Sequence, residues 1–234
     1  MASSTPWEPL YLETGILEPE VLILKNRVNY MDKIMDNQSS ILKCIREEQD
    51  QKGWWKNNTK LKEEAGIPQP THACSEGRRK REIKEILQRI MMEKIKEGAN
   101  NKTKTKYYLD NKKDPRPGSR AKYMDKCNRM DANIIFRART RMLKVKANFR
   151  NMYQDTTCRL CKRMEENQEH VLETCNSEAR KKLGKVTTRD IFEESTGKLR
   201  ETAKTIRDIM DLLECSSPER DRAARPIRAC NELN

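Results

Sequence analysis

No stretch of this chain is apolar for long enough to cross a bilayer, which takes about 20 consecutive residues, and this argues against a helical membrane protein. The opening, MASSTPWEPLYLETG, lacks a basic region followed by an apolar core, so no secretory signal is read there. The expectation is therefore a nuclear or cytoplasmic protein, not a secreted one, with its cysteines reduced. Glycine and proline are few, at eight and nine of 234 residues, and β-branched runs are short. A strand-and-turn architecture is disfavoured and helices are expected. Histidine occurs only twice, as His72 and His170.

What the chain does have is charge. Charged residues make up 36% and apolar residues 35%, so core material is scarce beside surface material. The formal net charge is +13, which favours acidic partners, nucleic acid first and anionic membrane second. Apolar residues recur at spacings of three and four in several segments, the mark of amphipathic helices. In 14–36 the stripe is Val21, Leu24, Val28, Met31 and Met35, with Pro19 suited to a first turn. A short helix is expected after Ser40, carrying Ile41, Leu42 and Ile45, and another from Trp54 to Ala65. In 78–96 the stripe is Ile83, Ile86, Leu87, Ile90 and Ile95 with Met91 beside them. The RRKR that opens this segment, Arg78–Arg81, reads either as the start of the helix or as an import signal.

Residues 98–120 have no period and are crowded with lysine and arginine around Tyr107 and Tyr108. They read as a loop, either merely solvated or a phosphate track with two stacking rings. Residues 123–149 read as one long helix or two, with Met130, Ile134, Ala138, Met142 and Val145 on one side. Its only acids are Asp125 and Asp131. Uncompensated positive charge repels itself unless a polyanion is near. The candidate phosphate contacts are Arg120, Lys122, Arg129, Arg137, Arg139, Arg141, Lys144, Lys146 and Arg150. TTRDIFEES, 187–195, looks like a capped turn, and 196–213 is amphipathic through Leu199, Ala203, Ile206, Ile209 and Leu213.

The chemistry concentrates in CRLCKRMEENQEHVLETC, Cys158 to Cys175. Two cysteines separated by two residues form a tight turn that aims both sulfurs at one ion. His170 and Cys175 complete a set of four soft or borderline ligands, spaced like a CCHC zinc knuckle with a lengthened middle loop. With all four positions filled by protein, one structural Zn2+ is expected rather than a catalytic one. The scattered Cys44, Cys74, Cys127, Cys215 and Cys230 read as small apolar filler, and His72 as surface.

Residues 131–175 read DANIIFRARTRMLKVKANFRNMYQDTTCRLCKRMEENQEHVLETC. This resembles the C-terminal region of animal non-LTR (LINE-like) retrotransposon endonuclease/reverse transcriptase polyproteins. There a basic segment with an FRARTRM-like core and an NF motif leads into a CxxC, an ENQEH-like stretch and a final cysteine. PLYLETGILEPEVLILKNRVNYMDKIM, 9–35, is similar to the segment after the polymerase core. The resemblance is most specific in 136–175 and implies that Cys158, Cys161, His170 and Cys175 are the zinc ligands and that template or target nucleic acid is gripped nearby. It does not extend to polymerase chemistry, which needs two metal-binding aspartates, one of them on a tight hairpin. YMDK at 30–33 and at 123–126 has lysine where the second aspartate belongs and sits in helical pattern. Glu165 and Glu166, like Glu193 and Glu194, read as charged surface.

The expected fold is all-α: loosely packed helices, a basic linker and a small CCHC zinc knuckle. The parts are an N-terminal helical region (1–98), the linker (99–120), a basic helix, knuckle and closing helix (121–214), and a polar tail (215–234). The expected function is binding of single-stranded RNA or DNA without enzymatic activity or a small-molecule substrate. The alternative is an interaction module or decayed fragment that packs against a reverse transcriptase core.

Overall fold

The computed structural model describes residues 6–36, 39, 44, 53–68 and 76–216. The fold is all-α, about 66% helical. Among the described residues the only β feature is an isolated antiparallel bridge between Thr157 and Glu165. None of the described helices is long and apolar enough to cross a membrane. The expected helix after Ser40, His72, Cys74, Cys230 and nearly all of the tail lie outside the described residues.

The chain divides into two compact units. One comprises Leu10–Lys102 and Pro115–Arg120, the other Met1–Pro9, Thr103–Asp114 and Ala121–Asn234. Of the expected linker, Thr103–Asp114 falls in the second unit and Pro115–Arg120 in the first.

In the first unit, helix α2 (Pro19–Asp36) starts on a proline and carries Glu20 in its first turn and Lys33 in its last. Val21, Val28 and Met31 of its expected stripe are buried. Helix α3 (Trp54–Glu64) turns Trp55, Asn58 and Lys62 inward at helical spacing. Helix α4 (Glu76–Ala99) buries Ile83, Ile86, Leu87, Met91 and Ile95, so Met91 belongs to the core itself. Burial of each such side chain contributes about 1.5–3 kcal/mol. RRKR opens α4, and Arg79 turns inward from it.

Three helices meet on one carboxylate. Asp32 of α2 accepts from Lys62 Nζ of α3 and from Arg79 Nε of α4, each at 3.0 Å. Arg79 also donates to the Pro68 carbonyl at 2.6 Å. Gly15 follows helix α1 (Trp7–Thr14) with a left-handed φ of +69°. A Cβ there would come within 2.6 Å of the Arg120 backbone nitrogen, so only glycine fits.

In the second unit, the basic segment expected as a loop holds a helix, α5 (Thr103–Asn111), with Thr105 and Tyr108 buried. TKTKYYLDN is a poor helix former by propensity. Tertiary burial decides its state instead: Tyr107 and Tyr108 each pack on Phe192 with ring centroids 5.9 Å apart. Residues 123–149, expected as one long helix or two, hold two α-helices that stop at Arg139, short of the expected end. Helix α6 (Lys122–Lys126) is followed by α7 (Arg129–Arg139), which Asn128 caps by accepting from the Asp131 N–H at 2.8 Å. Helix α7 ends at Thr140 because Arg141 adopts a left-handed φ of +52°. Met142 N–H then donates to the Arg137 carbonyl and Arg141 N–H to that of Ala138, the reciprocal pair of a Schellman ending. Arginine stands where such endings usually place glycine.

The apolar side shifts accordingly. Ala132, Ile135 and Ala138 face inward, whereas Met130 is 54% exposed. With Leu143, Val145, Val171, Leu172 and Ile191 they meet helix α10 (Thr196–Cys215), whose Leu199, Ala203, Ile206, Ile209 and Leu213 are all buried as the sequence predicts. Helix α8 (Glu178–Lys181) and helix α9 (Thr188–Ile191) complete the unit. Thr187 and Asp190 form the capping box expected of TTRDIFEES. Of the scattered cysteines, Cys44 is exposed and Cys127 packs against the core. Cys215 is disulfide-bonded, contrary to the expectation of reduced thiols.

Replacing Asp32 with alanine removes the carboxylate shared by two buried cations. The expected cost is about 3–5 kcal/mol, read as a lower urea midpoint of the helical signal. A midpoint unchanged within error would show that the triad does not hold α2, α3 and α4 together.

Candidate metal centre

Two local structures converge on the cluster. The first is a tight reversal over 156–166. Glu166 N–H donates to the Thr156 carbonyl at 2.8 Å, Cys158 N–H to that of Met164 at 2.7 Å, and Lys162 N–H to that of Cys158 at 3.0 Å. Lys162, at φ +55°, makes the turn. The second is the His170–Thr174 turn, which Asn167 starts by accepting from the His170 N–H at 2.8 Å. It is π-helical: Cys175 N–H reaches back five residues to the His170 carbonyl at 2.7 Å. In an α-helix, residues five apart point about 140° away from each other. The widened turn brings His170 and Cys175 onto one side.

The four ligand atoms of Cys158, Cys161, His170 and Cys175 lie within 4.8 Å of one another. Cys158 Sγ and Cys175 Sγ are 3.9 Å apart, and Cys161 Sγ is 3.2 Å from His170 Nε2. The edges of a tetrahedron of thiolate and imidazole ligands measure about 3.5–3.8 Å. The group therefore has the spacing and donors to hold a metal ion. Thr174 Oγ1 lies 3.3 Å from His170 Nδ1, which leaves Nε2 for the centre. Burial lowers the His170 pKa and favours the neutral, ligating imidazole. Burial also pushes the Cys158 thiol up to about 12, against the pull of the Cys161 and Leu160 N–H groups. At Cys161 burial acts in the same direction, but the N–H groups of Met164 and Arg163 together with the thiols of Cys158 and Cys175 outweigh it and the thiol is lowered. Each of the four residues offers one ligand atom, enough for a four-coordinate ion.

Beneath the site lies a residue that the sequence reading placed on the surface. Glu166 is fully buried. Its Oε1 accepts from Lys146 N–H at 3.0 Å and from Arg159 NH2 at 2.6 Å, and its Oε2 from Arg159 N–H at 3.0 Å and Arg159 Nε at 2.9 Å. Arg159 NH2 also approaches the Lys144 carbonyl at 3.4 Å. The pair thus ties the residue after Cys158 to the segment 144–146. Buried Arg180 donates to the carbonyls of Val171, Leu172 and Gly184 and holds the π turn from the other side. Neither role has a spacing signature. Glu166 stands between Glu165 and Asn167 and Arg180 beside Lys181 and Lys182, so nothing in the sequence sets either apart.

The basic residues do not form one face. Arg139 is corrected outright: it is 0% exposed, donates to the carbonyls of Ile191 and Glu193 at 2.9 Å each, and lies over the rings of Tyr123 and Phe192. It is a core residue, shut off from phosphate. Four others are compensated by acids distant in sequence: Arg141 by Glu169 at 2.6 Å, Lys144 by Glu214 at 3.9 Å, Lys146 by Asp155 at 3.5 Å and Arg150 by Glu165 at 2.7 Å. Arg141 also covers the Tyr107 ring at 3.9 Å, so Tyr107 and the buried Tyr108 are not an open stacking platform. Lys122 and Arg129 are exposed and Arg137 half-buried, and none of the three has an acidic partner among the described residues. Arg120 is exposed but belongs to the first unit. Both YMDK stretches lie within helices, α2 and α6.

No protein-family model, no curated protein and no solved structure matches this chain.

Glu166→Ala is expected to lower metal affinity about 10–100-fold in a competitive Co2+ titration, because the turn that presents Cys158 loses its anchor. Affinity equal to that of the unaltered chain would mean that the cluster sets its own geometry. Arg139→Leu strands two buried carbonyls and should cost about 2–3 kcal/mol in thermal unfolding. A variant of full stability would contradict its place in the core.

Proposed function

We propose that this chain is a nucleic-acid-binding zinc-knuckle protein, similar to the C-terminal part of a non-LTR retrotransposon reverse transcriptase and without a polymerase or nuclease site of its own. The observation that carries the reading is the closed cluster of three cysteines and one histidine, tied through Glu166 and Arg159 to the basic segment. Three thiolates and an imidazole in tetrahedral spacing favour Zn2+ over harder ions. The ion has a structural role: it fixes the CxxC turn and the π turn, and through them the packing of Val171 and Leu172 in the core.

The partner is single-stranded RNA or DNA, met in the nucleus or cytoplasm. Lys122, Arg129 and Arg137 are, with Lys126, the cations of α6 and α7 left to meet phosphate, and Lys162 and Arg163 stand exposed on the knuckle's own turn. These groups are point charges without base-reading geometry, so they position a strand rather than select its sequence.

The test is anisotropy of a labelled single-stranded RNA and its DNA counterpart between 50 and 200 mM salt. Three phosphate contacts predict about a twentyfold fall in affinity over that range. Alanine at Lys122, Arg129 and Arg137 together should flatten the slope by about two. Cys161→Ser should remove one zinc per chain by native mass spectrometry and weaken binding with it. A salt-independent affinity, or no zinc in the purified protein, overturns the reading.

A further inference from the structure

The first unit carries an aromatic pair of its own at the surface. Tyr30 of α2 and Trp54 of α3 meet edge to face with ring centroids 5.6 Å apart. Yet Tyr30 remains 56% and Trp54 39% exposed, while the adjoining Trp55 is buried in the core. Two rings that support each other and stay open are unusual in a chain so short of apolar material. Ile23, two turns before Tyr30 on the same side of α2, is also exposed, at 51%.

On α2 and α3 the charge beside the rings is positive, while Glu76 of α4 lies close enough to Lys33 to interact with it. Arg27 and Lys33 flank Tyr30 at three residues before and after, and both are exposed. Lys56 follows Trp54 and is exposed as well. From Val21 to Met31 on α2 and from Trp54 to Lys62 on α3 there is no acidic residue. The nearest carboxylate in sequence, Asp32, is already engaged by Lys62 and Arg79. An apolar protein partner would have to bury Arg27 and Lys56 beside the rings, where residues 21–31 of α2 and 54–62 of α3 supply no counter-charge. A single-stranded nucleic acid supplies both complements at once, base faces for the rings and phosphates for the cations.

We propose that Tyr30 and Trp54, with Arg27, Lys33 and Lys56, form a base-stacking site for single-stranded nucleic acid on the first unit. It is separate from the zinc-bearing unit and rests on its own observations, while extending the nucleic-acid reading to a second contact. Stacking on an aromatic ring is tolerant of sequence, so the site takes any unpaired base.

The experiment uses the full chain and a single-stranded 15-mer carrying 5-iodouracil, irradiated and digested with trypsin. Crosslinks are expected on the peptides 28–33 and 53–56, at Tyr30 and Trp54. Tyr30→Leu with Trp54→Leu should weaken the 15-mer about tenfold with little change in salt slope, because stacking is lost and charge is kept. Tyr30→Phe with Trp54→Phe should restore binding, which separates stacking from any folding defect of the leucine pair. Arg27→Gln with Lys56→Gln should lower the salt slope instead. Crosslinks confined to residues 121–175, with the leucine pair binding like the unaltered chain, overturn this site and leave the knuckle reading intact. An unaltered chain that fails to bind the 15-mer at 50 mM salt overturns both. Self-association abolished by the leucine pair would make the rings a protein-docking face and overturn the site as well.

Discussion

A carboxylate with no exposed surface, Glu166, is the point on which the unit with the Cys/His cluster depends. Buried alone, such a charge would be untenable. It is held because one guanidinium and two backbone N–H groups converge on it. Each of those donors belongs to a segment that must be placed for another reason: Arg159 for Cys158, and Lys146 for the turn that brings Leu143 and Val145 into the core. The interaction is a constraint more than a source of stability. It leaves the knuckle and the segment after α7 one arrangement in which every group is satisfied.

The same economy runs through the chain. With 35% apolar residues, it has little hydrocarbon to fill two cores. Arg79, Arg139, Arg159 and Arg180 make up part of the difference. Their stems cover apolar surface, and their planar heads take carbonyls that loops would otherwise leave unsatisfied. A net charge of +13 therefore overstates what faces solvent as free positive potential. Part of it is architecture.

This explains what could and could not be read ahead of the structure. The stripes of α2, α4 and α10 were legible because each faces a core along its whole length, and helical period is then the only constraint on residue choice. The ligand set was legible because metal chemistry restricts residue type and spacing together. The end of α7 was not, since Arg141 occupies a left-handed position without the glycine that announces one. Nor was α5, whose helical state comes from Tyr108 finding Phe192. Arg139 and Arg137 are two residues apart in a run of similar basic residues. Only the three-dimensional packing of Tyr123, Ile191 and Phe192 tells the buried one from the one left to solvent.

The π turn between His170 and Cys175 makes the two halves of the knuckle unequal in how they tolerate change. Between Cys161 and Glu165 the chain runs through an exposed reversal, where side chains can vary although the Cys158–Met164 hydrogen bond and the N–H groups that face the Cys161 sulfur hold the length. Between His170 and Cys175 the count is fixed at both ends. Removing one residue would let the turn tighten into an ordinary α-helical one and carry Cys175 around the axis, along with Val171 or Leu172 out of its place in the core. Among descendants of this sequence, a change of length in the π turn would therefore be purged.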